Sequence, residues 1–215
     1  MITEYQEKGK TRSLYEEAFD DPKVFVDYYY MEKCRDNRII VSLEDDEIIS
    51  MLHLNPYYMN FGGKEILTYY VVAVATKKNR RHEGQMARIF EKTFDLLKKE
   101  HVPFIFLMPV DEAIYSWMGF EKICNFSTHR IPDYDLIREN YDIYCVRDEN
   151  YIRRMKLEDE LRLQDMGEAL PDNPVIMAKV TDLEAFCKAA GEKFSDEKEA
   201  LLWLRNKKVY ICEEV

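Results

Sequence analysis

The chain has 215 residues, 47% hydrophobic and 33% charged, with only 7 Gly and 7 Pro; this excludes a disordered or low-complexity protein and suffices for one large domain, or one domain with a substantial addition. A formal net charge of −10, from 31 basic and 41 acidic residues, argues against nucleic acid or an anionic membrane as partner and suits a cationic small molecule such as an amine. Five scattered cysteines without a C-x-x-C pair, and histidines without ligand spacing, give neither a disulfide framework nor a metal site. No run reaches the roughly 20 apolar residues that cross a bilayer. The opening "MITEYQEKGK" lacks the apolar centre of a signal peptide, so the expected location is the cytoplasm.

In chain order, residues 12–34 read as helical with a break at Asp20, Asp21 and Pro22, where Pro22 suits the first turn of the second segment. The β-branched run "RIIVSLEDD" and the following "EIISMLHLNPYYMN" predict a hairpin turning near Asp45 and Asp46. A second turn at Gly62 and Gly63 leads into a long strand through Val71–Ala75, whose continuous apolar character fits a centre covered on both faces. The period then changes. Met86, Ile89, Phe90, Thr93, Phe94 and Leu97 recur at three- and four-residue spacing with charges between them, which predicts an amphipathic helix. "VPFIFLMPV" reads as a buried strand stopped by Pro109, "DEAIYSWMGF" as a short helix capped near Gly119, and "FEKICNFSTH" as another strand. Beyond residue 132, a polar helix is expected over 149–168, a short strand at "NPVIMAKV", and a helix capped by Thr181 with Glu184. A second helix follows Ser195, and "KVYICEEV" is expected as a strand running to the end. The fold class expected is α/β, with a mixed, mostly antiparallel sheet flanked by helices and a small α/β C-terminal appendage. The expected division is residues 1–131 and 132–215.

The chemically suggestive stretch is "KKNRRHEGQMARIF", where two arginines and a lone glycine crowd the junction of the apolar strand and the amphipathic helix. A helix start offers unpaired N–H groups and partial positive charge. An anion bound there needs close backbone approach, hence Gly84, and gains from Arg80 and Arg81. These residues predict a pyrophosphate site.

"VAVATKKNRRHEGQMARIF" resembles the acyl-CoA-binding signature of the GCN5-related N-acetyltransferase (GNAT) family, a strand, then R/Q-x-x-G-x-G/A, then a helix, with Arg81, Gly84 and Met86 at the marked positions. Met86 departs from the usual small residue, which the Eis-like branch tolerates. "LMPVDEAIYSWMGFEKI" is similar to that branch's "IY-x-x-x-GF" segment, and the resemblance covers roughly residues 12–130. It implies the GNAT fold and acetyl-CoA as co-substrate. It also implies that Val74, Ala75 and Thr76 form the strand edge along pantetheine. His82, Glu83, Gly84, Gln85, Met86 and Ala87 would present amides to the pyrophosphate, Val110 and Asp111 would flank the coenzyme, and Tyr115 would protonate the departing thiolate.

In the Eis branch the C-terminal carboxylate acts as base, so the resemblance nominates the carboxylate of Val215, with Glu213 and Glu214 beside it. "NPVIMAKVTDLEAFCKAAG" and "KVYICEEV" resemble the opening and close of that branch's sterol-carrier-like domain, shortened here. The function expected is an acyl-CoA-dependent N-acyltransferase moving an acetyl group to a primary amine by direct attack; the alternative is a non-catalytic acyl-CoA-binding sensor or assembly module. The tail's apolar residues allow coverage within one chain or exchange between two, so an oligomer stays open.

Overall fold

Two β-branched runs separated by two aspartates form the expected hairpin, because Asp45 and Asp46 both take positive φ, 48° and 65°, the backbone hand that a two-residue hairpin turn requires. The computed structural model describes residues 1–163 and 173–214. The first elements are β1 (Ile2–Glu4), α1 (Arg12–Ala18), α2 (Lys23–Glu32), β2 (Arg38–Glu44), β3 (Glu47–Phe61), β4 (Lys64–Thr76) and α3 (Gln85–Lys99). They are followed by β5 (Phe104–Leu107), α4 (Ala113–Ser116), β6 (Glu121–Asn125), α5 (Tyr134–Asn140) and β7 (Ile143–Cys145). Last come α6 (Glu149–Leu163), β8 (Val175–Val180), α7 (Leu183–Ala190), α8 (Glu197–Arg205) and β9 (Val209–Tyr210). The architecture is the mixed, mostly antiparallel α/β fold expected. Among the described residues no helix is long and apolar enough to cross a membrane.

The chain divides into two units, Met1–Pro56, Val71–Phe94 and Asp148–Ala169 in one, Tyr57–Tyr70, Asp95–Arg147 and Leu170–Val215 in the other. This partition follows contacts, whereas the expected boundary after residue 131 follows composition along the sequence. In the first unit the strands run β1-β2-β3-β4. β1 and β2 pair antiparallel from Ile2↔Ser42 to Glu4↔Ile40, and β2 and β3 from Arg38↔Leu54 to Glu44↔Glu47. Pro22 separates α1 from α2 as the residue before the second helix. Helix faces bury Leu14, Tyr15, Val26 and Tyr29, and Tyr29 stacks on His53 of β3 at 5.7 Å between ring centroids. The His53 ring is fully buried and Nδ1 lies 2.9 Å from the Tyr29 hydroxyl. Burial pushes its pKa down to about 3, so the imidazole is neutral. α6 is tied to α2 by the Tyr28 hydroxyl, which donates to Glu158 at 2.7 Å.

In the second unit β4 pairs parallel with β5 at Tyr69↔Ile105 and Tyr70↔Phe106. β8 lies between β5 and β6, antiparallel to both, which explains why Val175–Ala178 is an unbroken buried apolar run. β7 continues the pairing from the end of β3, and β9 pairs parallel with β7. Phe61, Phe104, Phe186 and Trp203 form the aromatic core under α7 and α8.

Several local expectations shift. α7 is capped by Asp182, which accepts from the Ala185 N–H at 3.1 Å; Thr181 is diverted because its hydroxyl donates to the Val102 carbonyl at 2.6 Å. α8 is likewise capped one residue later than expected, by Asp196. The final strand ends at Tyr210, and the Cys212 N–H turns to the Glu213 carboxylate at 3.0 Å. The polar helix is described to Leu163, and its expected residues 164–168 lie outside the described chain.

Candidate active site

The positions nominated by sequence fall some in one unit and some in the other, and each group is described within its own unit. In the first unit, β4 ends at Thr76 and hands the chain to the turn before α3. The Ser50 hydroxyl donates to the Ala75 carbonyl at 2.8 Å and the Lys77 N–H donates to the Ile49 carbonyl at 2.9 Å. Backbone polar groups alternate sides along a strand, so residues 75 and 77 address β3, while those of Val74 and Thr76 point the other way. Of the three residues expected along pantetheine, two therefore offer backbone groups on the edge away from β3. Ala73 just before them has φ +52°, a rare conformation for a residue with a Cβ, and it breaks the regular strand at that place.

Lys78–Arg80 forms a single 3-10 turn and Arg81 is extended. His82 (φ +64°) and Gly84 (φ +75°) are left-handed and flank Glu83, which is not. Two positive-φ residues so close together bend the chain sharply just before α3. A Cβ built on Gly84 meets nothing within 4 Å, so the space over this residue is open. Gly84 is exposed, and so are Arg81, His82 and Glu83. The first intrahelical bond of α3 runs from the Arg88 N–H to the Gly84 carbonyl at 3.2 Å, so the N–H groups of Gln85, Met86 and Ala87 have no acceptor within the helix. No acidic residue stands in the first turn of α3. Arg81 reaches back to the Thr76 carbonyl through Nε at 3.3 Å, joining the strand end to the turn. Gln85 is 3% exposed, with its side chain committed to Ser42; only its backbone can serve a ligand. Together these residues can hold an anion against backbone amides beside one exposed guanidinium.

In the second unit, Tyr115 lies on the single turn of α4. Its ring meets Phe120 edge-on at 5.8 Å, and burial pushes the phenol up to about 12, which keeps it protonated at neutral pH. Asp111 accepts the Ala113 N–H at 2.9 Å and so shapes the start of α4; Val110 is 87% exposed. Sequence reading missed Tyr70. This buried phenol is raised well above its ordinary range first by burial, then by the charge of Glu214, against a hydrogen bond with the Met108 backbone, and by Glu213 and Tyr115. The last carboxylates and Tyr115 are thus all felt at one side chain. Glu213 is itself 6% exposed. Val215 lies outside the described residues. The only signal for Tyr70 in the sequence is a hydroxyl inside an apolar strand.

Residues 4–123 match the family described as the acetyltransferase (GNAT) domain. A search of curated proteins returns no match in sequence. Among solved structures, the chain is similar to a conserved protein of Enterococcus faecalis described as a probable N-acyltransferase. The TM-score is 0.60 at 16% identity, over 72% of this chain and 47% of that one. It is also similar to Eis1 from Mycobacterium abscessus, with TM-score 0.57 and 11% identity over 74% of this chain and 48% of that one. A GCN5-related N-acetyltransferase from Kribbella flavida gives TM-score 0.56 and 12% identity over 88% and 74%. The chain therefore spans about half the length of the Enterococcus and Mycobacterium chains. At these identities the likeness is one of fold; the family match ends at residue 123, and the expected sterol-carrier-like tail finds no support in these comparisons.

Proposed function

The chain belongs to the GNAT acetyltransferase family, and from that premise we propose that it transfers an acyl group, acetyl from acetyl-CoA, to a primary amine. One observation carries the reading: the turn with positive φ at His82 and Gly84 is exposed, the space over Gly84 is open, and the amides that start α3 there have no helical acceptor. A diphosphate is the part of coenzyme A that such amides recognise. The backbone groups of Val74 and Thr76 supply the hydrogen-bonding edge for the pantetheine amides. Arg81 supplies charge.

Transfer needs a neutral amine to attack the thioester carbon, expelling the thiolate as the new amide bond forms. Tyr115 is the proposed acid. A phenol pushed up to about 12 is protonated at neutral pH and can donate its hydrogen bond to the sulfur as negative charge develops there, sharing the proton as the C–S bond breaks. A carboxylate among residues 213–215 is the proposed base that removes the ammonium proton. Its support is the influence of Glu213 and Glu214 on Tyr70, which Tyr115 shares. A net charge of −10 suits a cationic acceptor.

The test is coenzyme-thiol release from acetyl-CoA with a panel of primary amines, alongside the shift in melting temperature that acetyl-CoA produces. Release and a rise in melting temperature are expected. A rise without release for any amine would favour the non-catalytic binding module, and neither would refute the coenzyme reading.

A further inference from the structure

Arg80 and Arg81 are neighbours in sequence with different surroundings. Arg81 is exposed. The Arg80 guanidinium is clamped between two carboxylates, 2.8 Å from Glu44 Oε2 through a terminal nitrogen and 2.9 Å from Glu83 Oε2 through Nε. Glu44 is the last residue of β2 and Glu83 stands between the left-handed His82 and Gly84. The contacts continue into α3: Gln85 Nε2 donates to Glu44 Oε1 at 3.4 Å, and Gln85 Oε1 accepts from the Ser42 hydroxyl at 3.1 Å. Ser42, Gln85, Glu44, Arg80 and Glu83 thus form one polar chain from β2 through the first residue of α3 to the turn. The charge of Arg80 is already matched by two carboxylates, so a phosphate meeting its remaining N–H groups would gain little from that charge. The same two carboxylates would repel a diphosphate if left bare.

We propose that Arg80 is a positioning residue of the coenzyme site, not a phosphate ligand: it acts through Glu44 and Glu83, cancelling charge that would otherwise face the incoming diphosphate. This rests on the coenzyme reading above. With Arg80 present the three side chains carry a net −1, and without it −2. The clamp is solvent-accessible, with side-chain exposures of 28% for Arg80, 44% for Glu44 and 45% for Glu83. Ion pairs of that kind contribute little to folding, so its loss is read in binding.

The experiment compares the wild type, Arg80→Gln and the triple variant Glu44→Gln, Arg80→Gln, Glu83→Gln in calorimetric titration with coenzyme A and in steady-state kinetics. Arg80→Gln is expected to weaken coenzyme binding about fivefold to tenfold at low salt and to raise KM for acetyl-CoA, with kcat and the KM for the amine held. The triple variant is expected to bind within about twofold of the wild type, since removing the carboxylates removes the repulsion. A triple variant as weak as Arg80→Gln would make Arg80 a direct ligand and overturn the proposal. A second arm needs no coenzyme. Arg80, by its hydrogen bond and charge, holds the Glu44 carboxyl below its usual range, so a carbon-13 NMR titration should place Glu44 lower in the wild type than in Arg80→Gln. Equal titration in the two would refute the clamp whatever binds. A clamp present in a wild type that binds no coenzyme A would instead refute the coenzyme reading and the role assigned to Arg80 with it.

Discussion

The opening of α3 and the surroundings of Tyr70 are built on opposite principles. The first is exposed, and its shape is backbone: two left-handed residues, a glycine with empty space above it, and helix amides without acceptors. The second is buried at Tyr70 and Glu213 and half-buried at Tyr115 and Glu214, and its character lies in side chains, two raised phenols and two carboxylates. A site made of amides binds without depending on protonation. A site made of phenols and carboxylates moves protons, and its chemistry depends on how far burial shifts each group. Binding and proton transfer should accordingly separate under mutation.

Tyr115→Phe is the sharpest test of that separation. It should lower kcat by about 10²–10³-fold while the coenzyme dissociation constant stays within about twofold, measured by steady-state kinetics beside calorimetry. Because the phenol is raised to about 12, it is protonated below that pH, and the rate should show no loss from this group between pH 7 and 10. A loss of coenzyme affinity equal to the loss of turnover would merge the two regions. Next, Glu213→Gln and Glu214→Gln identify which described carboxylate serves as base. The one that does should lose roughly a hundredfold in kcat and leave the acetyl-CoA-induced melting shift intact.

Gly84→Val probes the other side of the comparison. Its Cβ meets nothing, but φ +75° costs a side chain about 1–2 kcal/mol and the methyls cover the amides. Coenzyme affinity should fall about tenfold or more, with kcat at saturation retained and only a few degrees lost in melting temperature. A further effect is on stability and lies away from both regions. Burial holds His53 down to about 3, so below pH ~6.5 the unfolded chain takes up a proton that the folded one refuses, and stability falls with falling pH. The loss is roughly 2 kcal/mol at pH 5, and His53→Gln should remove it, as read from urea unfolding at pH 7 and 5.

How much of this the sequence disclosed follows the same division. The opening of α3 was legible because its signals are local: Gly84 marks the left-handed residue, Arg81 the charge, and the change of period the helix start. Left-handed His82 and Ala73 carry no such mark, since neither is a glycine. The Arg80 clamp depends on Glu44, 36 positions earlier in the chain, and no spacing rule foretells it. The place of β8 between β5 and β6 depends on partners at both Phe104–Leu107 and Glu121–Asn125, although its apolar run correctly announced a strand. The caps of α7 and α8 slipped by one residue because two capping residues stand side by side in each, and a distant acceptor, the Val102 carbonyl, claims Thr181.

The central claim is that the amides opening α3 receive the coenzyme's diphosphate. A nitrogen-15 NMR titration of the wild type with coenzyme A tests it most directly. The account predicts saturable shifts concentrated on the amides of Gly84, Gln85, Met86 and Ala87, and in Gly84→Val shifts of residues 85–87 that need about tenfold or more coenzyme A to saturate. Saturable binding that leaves those four amides unmoved would contradict it.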